Sequence, residues 1–376
     1  MVNALAIYDR LTERRKRFLR VEQLCASASE MGWLPSKHEL EQEAKHSQRD
    51  KQGLEKRHGE FLAEVLGDPD TGMHLCHAML LPLDTSKGRY EEYDASGEIA
   101  LPGAHLKREG KAAVLTMGNP RYLNAEDEST IEGLETAVDL ALMDPKTEVC
   151  VLRGDVVTHT KHAGRRIFGA GINLTHLYQG RIRYLWFLIR DLGFVNKFYR
   201  GLALEDRSPE SHSVEKLWIA AVEGFAIGGH CQILLTMDTV LAAEDAYMTL
   251  PARKEGIIPG AANLRLPRFV GARIARQAIL AGRRLECSSP EGRMICDEIV
   301  PATGMDQAIA RSIEHLTNSG VVSAAGNKRA FRTGEEPLDT FRRYMAVYAR
   351  EQAQCHFSPA LIANLERHWD AANRRG

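Results

Sequence analysis

The sequence predicts an α/β fold in which helical regions at both ends of the chain flank a largely parallel β-sheet. Three observations support this prediction. The first part of the chain is charged, periodic and nearly free of glycine and proline, which is typical of helices. From Ala112 onward, short apolar runs alternate with helical segments, as in a sheet covered by helices. After Pro301 the pattern becomes helical again.

Residues 1–83 are predicted to form an N-terminal helical region. Ala4–Ser29 and Ser36–Leu66 are each expected to form one helix, and Ser36 and Glu39 have the spacing of a capping box. The stop signal Gly67-Asp68-Pro69 should end the second helix. The apolar stretch Met73–Leu83 predicts a further short helix. We expect this region to serve packing or assembly, or alternatively to cover the functional site.

The next segment, residues 84–109, is predicted to be a linker. Its first part, Asp84–Gly103, is rich in glycine, serine and charge, which favours a mobile loop.

Residues 110–301 are predicted to form the α/β core, and residues 302–376 a C-terminal helical region. The predicted core strands are Ala112–Met117, Val149–Arg153, Lys216–Val222 and Thr239–Ala243, with a helix at Ser129–Met143. The predicted C-terminal helices are Met305–Asn318, Leu338–Glu351 and Pro359–Ala371.

Composition excludes several classes of protein. The 376 residues include 49 basic and 50 acidic side chains, so no net charge favours nucleic acid or a membrane surface as a partner. Seven cysteines lie scattered without CxxC spacing, which indicates reduced thiols. No signal peptide and no membrane-spanning apolar run is evident. We therefore expect a cytoplasmic protein.

The stretch Trp218–Asp238 carries the first sign of a functional site. Its apolar start predicts a buried strand, Gly228-Gly229 a sharp turn, and Cys231–Met237 a buried helix. Glycines between a strand and a helix expose backbone N–H groups, and the helix N-terminus adds partial positive charge. The site suits an anion or a developing oxyanion. The alternative is a tight turn without a ligand.

Two further blocks identify a family. Arg166–Leu174 is another glycine-rich loop followed by helix-forming sequence, and a third block, Pro251–Gly271, lies further along the chain. Together with Trp218–Asp238, these blocks resemble the crotonase (enoyl-CoA hydratase/isomerase) superfamily. The resemblance implies a core built as a ββα spiral. It also implies that the backbone amides of Ile172 and Gly229 form an oxyanion hole for the thioester carbonyl of an acyl-CoA.

The same resemblance implies an assembly. In relatives, C-terminal helices pack against neighbouring subunits, so the expected state is a homotrimer or homohexamer.

Two catalytic glutamates of the family's hydratases are missing. The matching positions hold Gln232, three residues after Gly229, and Ala252, directly after Pro251. Neither an amide nor a methyl group transfers a proton at useful pH. A simple hydratase is therefore not expected.

Other departures indicate a polar acyl group. Asn119-Pro120 and Asn124-Ala125 resemble a family motif, but Glu126 stands where an apolar residue is usual. Glu126, Gln232 and Arg190 are candidates to bind acyl hydroxyls, because a site built to bond hydroxyls rejects analogues that lack them. The alternatives are a solvated helix-start carboxylate for Glu126 and a surface charge for Arg190.

The remaining candidates surround these residues. Ile257 and His159 are further predicted contacts of the acyl group, and Arg165 and Arg166 are predicted to contact CoA phosphates, with surface solvation as the alternative. His159 and His162 have a metal-like HxxH spacing, but without further ligands packed or free histidines are favoured.

This set of replacements resembles the branch of the superfamily that oxidises dihydroxylated arylacetyl-CoA thioesters with O₂. The resemblance implies an acyl-CoA and O₂ as reactants, no metal or organic cofactor, and a glyoxylate and CoA as products. The two alternatives are a crotonase-type thioesterase, in which water attacks the carbonyl, and a non-catalytic CoA-binding protein.

Overall fold

A computed structural model describes residues 3–318 and 320–374. The helices that precede the sheet are α1 (Ala4–Leu11), α2 (Val21–Glu30), α3 (Lys37–Glu43), α4 (Lys56–Gly67), α5 (Pro69–Leu80) and α6 (Asp84–Ser96).

The prediction of two long N-terminal helices is wrong, because each of them is interrupted. Glu13, Arg14 and Arg15 adopt left-handed backbone angles, so the chain leaves the helical path after α1. In the second segment, the Glu43 carboxylate accepts hydrogen bonds from backbone amides of residues 53 and 54 and thereby stabilises a turn between α3 and α4. Interrupted helices of this kind form a compact layer instead of two long rods.

The predicted helix-boundary signals are confirmed. Ser36 caps α3, and the Glu39 carboxylate accepts the Ser36 amide at 2.7 Å. α4 ends at Gly67, and the Asp68 carboxylate accepts the Thr71 amide at 2.9 Å at the start of α5. Capping residues therefore located boundaries that periodicity alone placed wrongly.

The prediction of a linker at residues 84–109 is wrong. It forms α6 and the first two strands of the main sheet. α6 has the composition of a loop because most of its side chains face solvent. Its buried residues are Ser86 and Tyr93. The Asp139 carboxylate accepts the Ser86 hydroxyl at 2.7 Å and fixes the helix to the core.

The strands form one large and two small sheets. They are β1 (Glu98–Leu101), β2 (Ala104–Glu109), β3 (Ala112–Met117), β4 (Val149–Gly154), β5 (Leu202–Ala203), β6 (Ser213–Val214), β7 (Leu217–Val222), β8 (Phe225–Ile227), β9 (Thr239–Ala243), β10 (Tyr247–Thr249), β11 (Leu285–Glu286) and β12 (Glu298–Val300). The large sheet has the order β1-β2-β3-β4-β7-β9-β12 and is parallel from β3 onward. The order of the second sheet is β11-β10-β8.

The predicted core strands are confirmed. β3 and β9 begin and end at the predicted residues, and β4 and β7 differ from their predictions by one residue at an end. The chain repeatedly passes from the large sheet to the small one and then into a helix, as β7, β8 and α11 illustrate. This order agrees with the expected ββα spiral.

The helices after β3 are α7 (Ile131–Met143), α8 (Leu174–Tyr178), α9 (Tyr184–Leu192), α10 (Phe194–Arg200), α11 (Gly229–Leu234), α12 (Ala252–Glu255), α13 (Ala262–Ala281, kinked at Gly271), α14 (Met305–Thr317), α15 (Val321–Glu335), α16 (Leu338–His356) and α17 (Pro359–Trp369). The predicted C-terminal helices correspond to α14, α16 and α17, whereas α15 was not predicted.

The N-terminal and C-terminal helices pack against each other. Gly59 of α4 lies directly against Ala353 of α16, and the Tyr184 hydroxyl of α9 donates to the Ala349 carbonyl at 2.6 Å. One hydrophobic core extends from these helices into the large sheet. Across the two described ranges, no helix is both long and apolar enough to cross a membrane.

Candidate active site

The loop that carries Ile172 runs beside the segment that carries Glu126. The two residues pair as a parallel bridge, in which the Glu126 amide donates to the Gly171 carbonyl and the Asn173 amide donates to the Glu126 carbonyl, both at 2.8 Å. In a parallel bridge the remaining N–H of the paired residue points to the opposite side. The Ile172 amide is therefore directed away from Glu126.

Gly171 brings this loop against the start of α11. Its φ is +79°, and a Cβ at this position would lie 2.8 Å from the Ile227 carbonyl oxygen and 3.2 Å from the Gly229 amide nitrogen. The amides of Ile172 and Gly229 thus come from two touching loops. Within the described residues, neither amide donates a hydrogen bond. Two free, neighbouring N–H groups suit a carbonyl oxygen that becomes negatively charged.

A buried charged cluster lies behind Gly229. The Arg190 guanidinium binds the Glu126 carboxylate through two hydrogen bonds, Nε to Oε2 at 2.5 Å and Nη2 to Oε1 at 2.8 Å. It also donates to the Gln232 side-chain oxygen at 2.5 Å and to the Gly229 carbonyl at 2.9 Å. The Gln232 amide in turn donates to Asp191.

Electrostatics keep this pair ionised. Burial alone would raise the pKa of Glu126, but the Arg190 guanidinium outweighs burial and leaves that pKa below its usual range. The attraction of Glu126 likewise raises the pKa of Arg190 despite burial. Both side chains are 3% exposed, so the solvated alternatives for Glu126 and Arg190 are wrong.

Asn124 fixes the loop that presents Glu126. Its side-chain amide donates to the carbonyls of Asp155 at 2.9 Å and Ile167 at 2.8 Å, and its side-chain oxygen accepts the Asn119 amide at 3.0 Å. Since both Leu123 and Asn124 have positive φ, the loop needs this side-chain support. The Asn-Ala element of the sequence motif thus positions the neighbouring Glu126.

His230 packs against the loop that carries Ile172. Its Nδ1 accepts the Gly171 amide at 2.9 Å, and the ring lies against Gly169 so closely that a Cβ there would be 2.3 Å away. Burial lowers the pKa of His230 to about 4, so the ring is neutral at physiological pH. Sequence reasoning missed this residue, which holds the loop between Gly169 and Ile172 in place.

Two cavities meet at Ile172. The smaller, of about 30 Å³, is lined among others by Ile172, Gly229, Arg190, Gln232 and Ile257. The larger, of about 590 Å³, also touches Ile172 and includes His159. Five predicted site residues therefore line one small cavity, with Glu126 paired behind it and His159 in the adjoining space.

The metal alternative for His159 and His162 has no support. Their rings are 6.2 Å apart, and within the residues described no group of three metal-ligating side chains is found.

The two arginines predicted to contact CoA lie outside both cavity linings. Arg165 pairs with Asp245 at 3.1 Å, and Arg166 donates to the Gly154 carbonyl at 2.8 Å. Their assignment to CoA phosphates stays a prediction.

Sequence reasoning missed several charged residues of the larger cavity. They are Arg121, Lys254, Glu255 and Arg374. A signal existed for Glu255, because it follows Ala252 by three residues and thus occupies the same face of one helical turn.

Comparison with known proteins defines the class. The family model for enoyl-CoA hydratase/isomerase matches residues 107–354. The fold is that of solved enoyl-CoA hydratases, among them one from Mycobacterium avium subsp. paratuberculosis (TM-score 0.59, 21% identity, 71% of this chain and 98% of that one). Another, from Xanthobacter autotrophicus, has a TM-score of 0.58 at 23% identity and covers 74% of this chain and 100% of that one. The chain belongs to the enoyl-CoA hydratase/isomerase family, the crotonase superfamily.

Among characterised relatives, the chain is 44% identical over 354 residues to the (3,5-dihydroxyphenyl)acetyl-CoA 1,2-dioxygenase of Amycolatopsis orientalis, covering 93% of this chain and 81% of that protein. It is 27% identical over 243 residues to the carnitinyl-CoA dehydratase of Salmonella enteritidis, which covers 64% of this chain and 85% of the relative. The similarity to the dioxygenase therefore extends beyond the family core into the N-terminal helical region.

The paired amides generate a test based on two substitutions at Gly229. Alanine keeps the N–H but adds a Cβ that would lie 2.8 Å from Arg190 Nη2, whereas proline adds the same carbon and also removes the N–H. Proline is tolerated as the first residue of a helix, as Gly229 is in α11, so both variants should fold. We expect Gly229→Pro to be slower than Gly229→Ala by about 10²–10³ in exchanging the α-protons of a bound acyl-CoA thioester.

Exchange with D₂O under nitrogen measures this difference, and circular dichroism checks the fold. Equal rates in the two folded variants would show that the Gly229 amide is not an oxyanion donor.

Proposed function

We propose that the protein is a dioxygenase that converts (3,5-dihydroxyphenyl)acetyl-CoA and O₂ into (3,5-dihydroxyphenyl)glyoxylate and CoA. One observation carries the proposal: the free amides of Ile172 and Gly229 adjoin a buried cluster of Glu126, Arg190 and Gln232. The 44% identity to a dioxygenase of this specificity supports it.

The oxyanion donors account for the first step. Removal of an α-proton turns the thioester into an enolate, whose charge on the former carbonyl oxygen is stabilised by the Ile172 and Gly229 amides. Because the α-carbon is benzylic, the negative charge also spreads over an electron-rich ring. Such an anion passes electrons to O₂ without the help of a cofactor, and the α-carbon becomes a peroxide.

The later steps balance without a further reactant. The peroxide oxygen attacks the thioester carbonyl, and the thiolate of CoA leaves. The O–O bond then breaks as the second α-proton departs, which gives a keto group and a carboxylate. One oxygen atom of O₂ ends in each group.

The charged cluster is proposed to recognise the aryl hydroxyls. Arg190 donates to the carbonyl of Gly229, so an acyl group held by the Gly229 amide lies next to the cluster. Each oxygen of the Glu126 carboxylate has a second lone pair, which a substrate hydroxyl can bond and a substrate without hydroxyls cannot, so the latter loses affinity. The small cavity has room for one molecule the size of water or O₂, and its lining is mixed, with Ile172 and Ile257 on the apolar part and Gln232 on the polar part.

The larger cavity is proposed to hold the CoA portion and the remainder of the acyl group. Arg121, Lys254 and Arg374 supply positive charge for phosphates, and His159 lies on the same lining. Arg165 and Arg166 are assigned to phosphates at the rim of the site, outside the lining.

We further propose a homotrimer or homohexamer in the cytoplasm. α15 exposes Val322 at 83% and Phe331 at 65%, which supports an interface on the C-terminal helices. All seven cysteines are free, which fits a reducing compartment.

The reaction itself is tested with ¹⁸O₂. Protein treated with a chelator and free of flavin and haem absorbance should consume one O₂ per (3,5-dihydroxyphenyl)acetyl-CoA. Label should appear in both the keto and the carboxylate group of the glyoxylate, because both oxygen atoms of O₂ enter the product. Isotope ratios by mass spectrometry provide the measurement. Label from water alone, with arylacetate and CoA released under nitrogen, would instead establish the thioesterase.

Recognition of the hydroxyls is tested at Glu126. Alanine at this position would leave Arg190 buried without its carboxylate, which costs about 3–5 kcal/mol of stability in such pairs. Glutamine keeps the size and hydrogen-bonding capacity of the side chain and is therefore the more conservative variant. Glu126→Gln and Glu126→Ala should both reduce kcat/KM for the dihydroxyphenyl substrate by about 10-fold or more relative to phenylacetyl-CoA, since hydrogen bonds to charged groups contribute about 1.5–3 kcal/mol. An equal loss on both substrates would assign Glu126 to structure alone.

The assembly is tested by light scattering. At micromolar concentration we expect the mass of three or six chains of 41.9 kDa. The variant Phe331→Glu, which places charge on the exposed face of α15, should dissociate the assembly if that face is the interface. A wild-type protein that remains monomeric would contradict the proposal.

A further inference from the structure

Glu255 is the last residue of the short helix α12 and lines both cavities. Ala252, which replaces the second hydratase glutamate, is one turn earlier on the same helix. Glu255 is 8% exposed and shares both linings with Ile172, whose amide is a proposed oxyanion donor. A carboxyl group missing at one position of the helix is thus present one turn later, still facing the site.

In the part of the chain that the structure describes, the Glu255 carboxyl group has no hydrogen-bond or ion-pair partner. The titratable groups that share the small cavity with it are Arg190, Asp191 and Tyr348. Those that share the larger cavity are Arg121, Tyr122, His159, Lys254, His368 and Arg374. Burial alone raises the pKa of Glu255 to about 7.

The other acidic groups of the small cavity are in a different state. Glu126 is bound by Arg190 through two hydrogen bonds, and Asp191 accepts from the Gln232 amide. Burial also raises the pKa of Asp191, but its carboxylate accepts hydrogen bonds from Gln232 and Tyr348, and the Glu126 carboxylate is paired with Arg190. Within the described residues, both carboxylates therefore have protein partners, whereas Glu255 has none. A general base works best when its pKa lies near the operating pH and its oxygens are accessible. Glu255 meets both conditions.

We propose that Glu255 is the base that removes the α-proton of the bound arylacetyl-CoA, an inference that rests on the proposed function. The carboxylate takes the proton, and the electrons of the C–H bond become those of the enolate held by Ile172 and Gly229. The proton then passes to the thiolate of CoA as it leaves. This restores the carboxylate, which takes the second α-proton when the O–O bond breaks.

The test separates proton removal from oxidation. Under nitrogen, in D₂O, wild-type protein should exchange the α-protons of (3,5-dihydroxyphenyl)acetyl-CoA, because enolate formation precedes reaction with O₂. Glu255→Gln keeps the shape but not the basicity, so exchange and O₂ uptake should both fall by at least about 100-fold. The KM should change little. Glu244→Gln, on an exposed glutamate outside both cavities, is the matched control and should behave as wild type.

The pH profile supplies a signature that a structural role would not produce. Wild-type exchange should rise with pH through about 7 as Glu255 ionises. This rising limb should be lost in Glu255→Gln. If the variant keeps its rate, or loses rate but keeps the limb, the inference is overturned. Loss of the limb in His159→Gln alone would transfer the role to His159 and equally overturn it.

Failure of the proposed function gives a different result. Wild-type protein that neither exchanges α-protons nor consumes O₂ would reject the function and this inference together. Oxidation by wild type and by Glu255→Gln at equal rates would reject the inference alone. Should Glu255→Gln not fold, Glu255→Asp takes its place. It retracts the carboxylate by one methylene and should slow exchange and shift the limb, whereas an unchanged rate and limb would overturn the assignment.

Thermal stability provides a readout independent of activity. The pKa of Glu255 in the fold is about 7, above its ordinary value of 4.5, so the folded protein binds this proton more tightly than the unfolded chain. The resulting stabilisation is complete below about 4.5 and is lost as pH rises through about 7. Relative to wild type, the Tm of Glu255→Gln should therefore increase between these two pH values. No relative increase would show that Glu255 does not titrate in this range.

Discussion

The site depends on the buried ion pair between Arg190 and Glu126. A guanidinium held at 3% exposure is tolerated only if its donors are satisfied, and here Glu126, Gln232 and the Gly229 carbonyl satisfy them. Each partner belongs to a different segment of the chain. The ion pair therefore fixes the position of the Glu126 loop relative to α9 and to the start of α11, where the Gly229 amide is presented. The guanidinium lies so close to Gly229 that a Cβ there would be 2.8 Å from Arg190 Nη2.

The ion pair also makes Glu126 electrostatically different from Glu255. Arg190 keeps Glu126 ionised and occupied, whereas burial without a partner raises the pKa of Glu255 to about 7. Opposite environments thus suit the two carboxyl groups to the different tasks that we propose for them, recognition for Glu126 and proton transfer for Glu255. In the family's hydratases the glutamates manage water as well as the proton. Here Gln232 is held between Arg190 and Asp191, and Ala252 offers only a methyl group, so neither position supplies a carboxylate to activate water.

Local signals in the sequence determined much of the fold. β3 and β9 were predicted to the residue because they are continuous apolar runs with clear ends. α6 was missed because a surface helix with few buried residues has the composition of a loop. α15 was missed because glycines interrupt its pattern, and tertiary ion pairs hold it instead, such as Lys328 with Asp238 at 2.7 Å. Helical periodicity also failed where left-handed residues break the N-terminal segment.

The site was predicted only as far as motifs extend. Ile172, Gly229 and Gln232 follow from fixed spacing within glycine-rich blocks. Pairing of Arg190 with Glu126 spans 64 positions of sequence, and no local pattern distinguishes such a pair from two solvated charges. Glu255 was missed for a related reason. It stands out because it is buried without a hydrogen-bond or ion-pair partner among the described residues, and only the folded structure shows which residues surround it.

These features together explain why the same oxyanion hole can serve another reaction. In a hydratase, carboxylates hold water next to the enolate or its unsaturated counterpart, and the enolate is consumed by proton transfer. In the reaction that we propose for this chain, the enolate forms beside a cavity of about 30 Å³, which has room for a molecule the size of water or O₂. Neither of the two hydratase positions holds a carboxylate, and the aryl ring shares the negative charge, so under our proposal the enolate persists until O₂ reaches it. If Glu255 is the base, as we propose, the change of chemistry moves one carboxyl group by a single helical turn, from position 252 to position 255. The other hydratase position holds Gln232, which is hydrogen-bonded between Arg190 and Asp191.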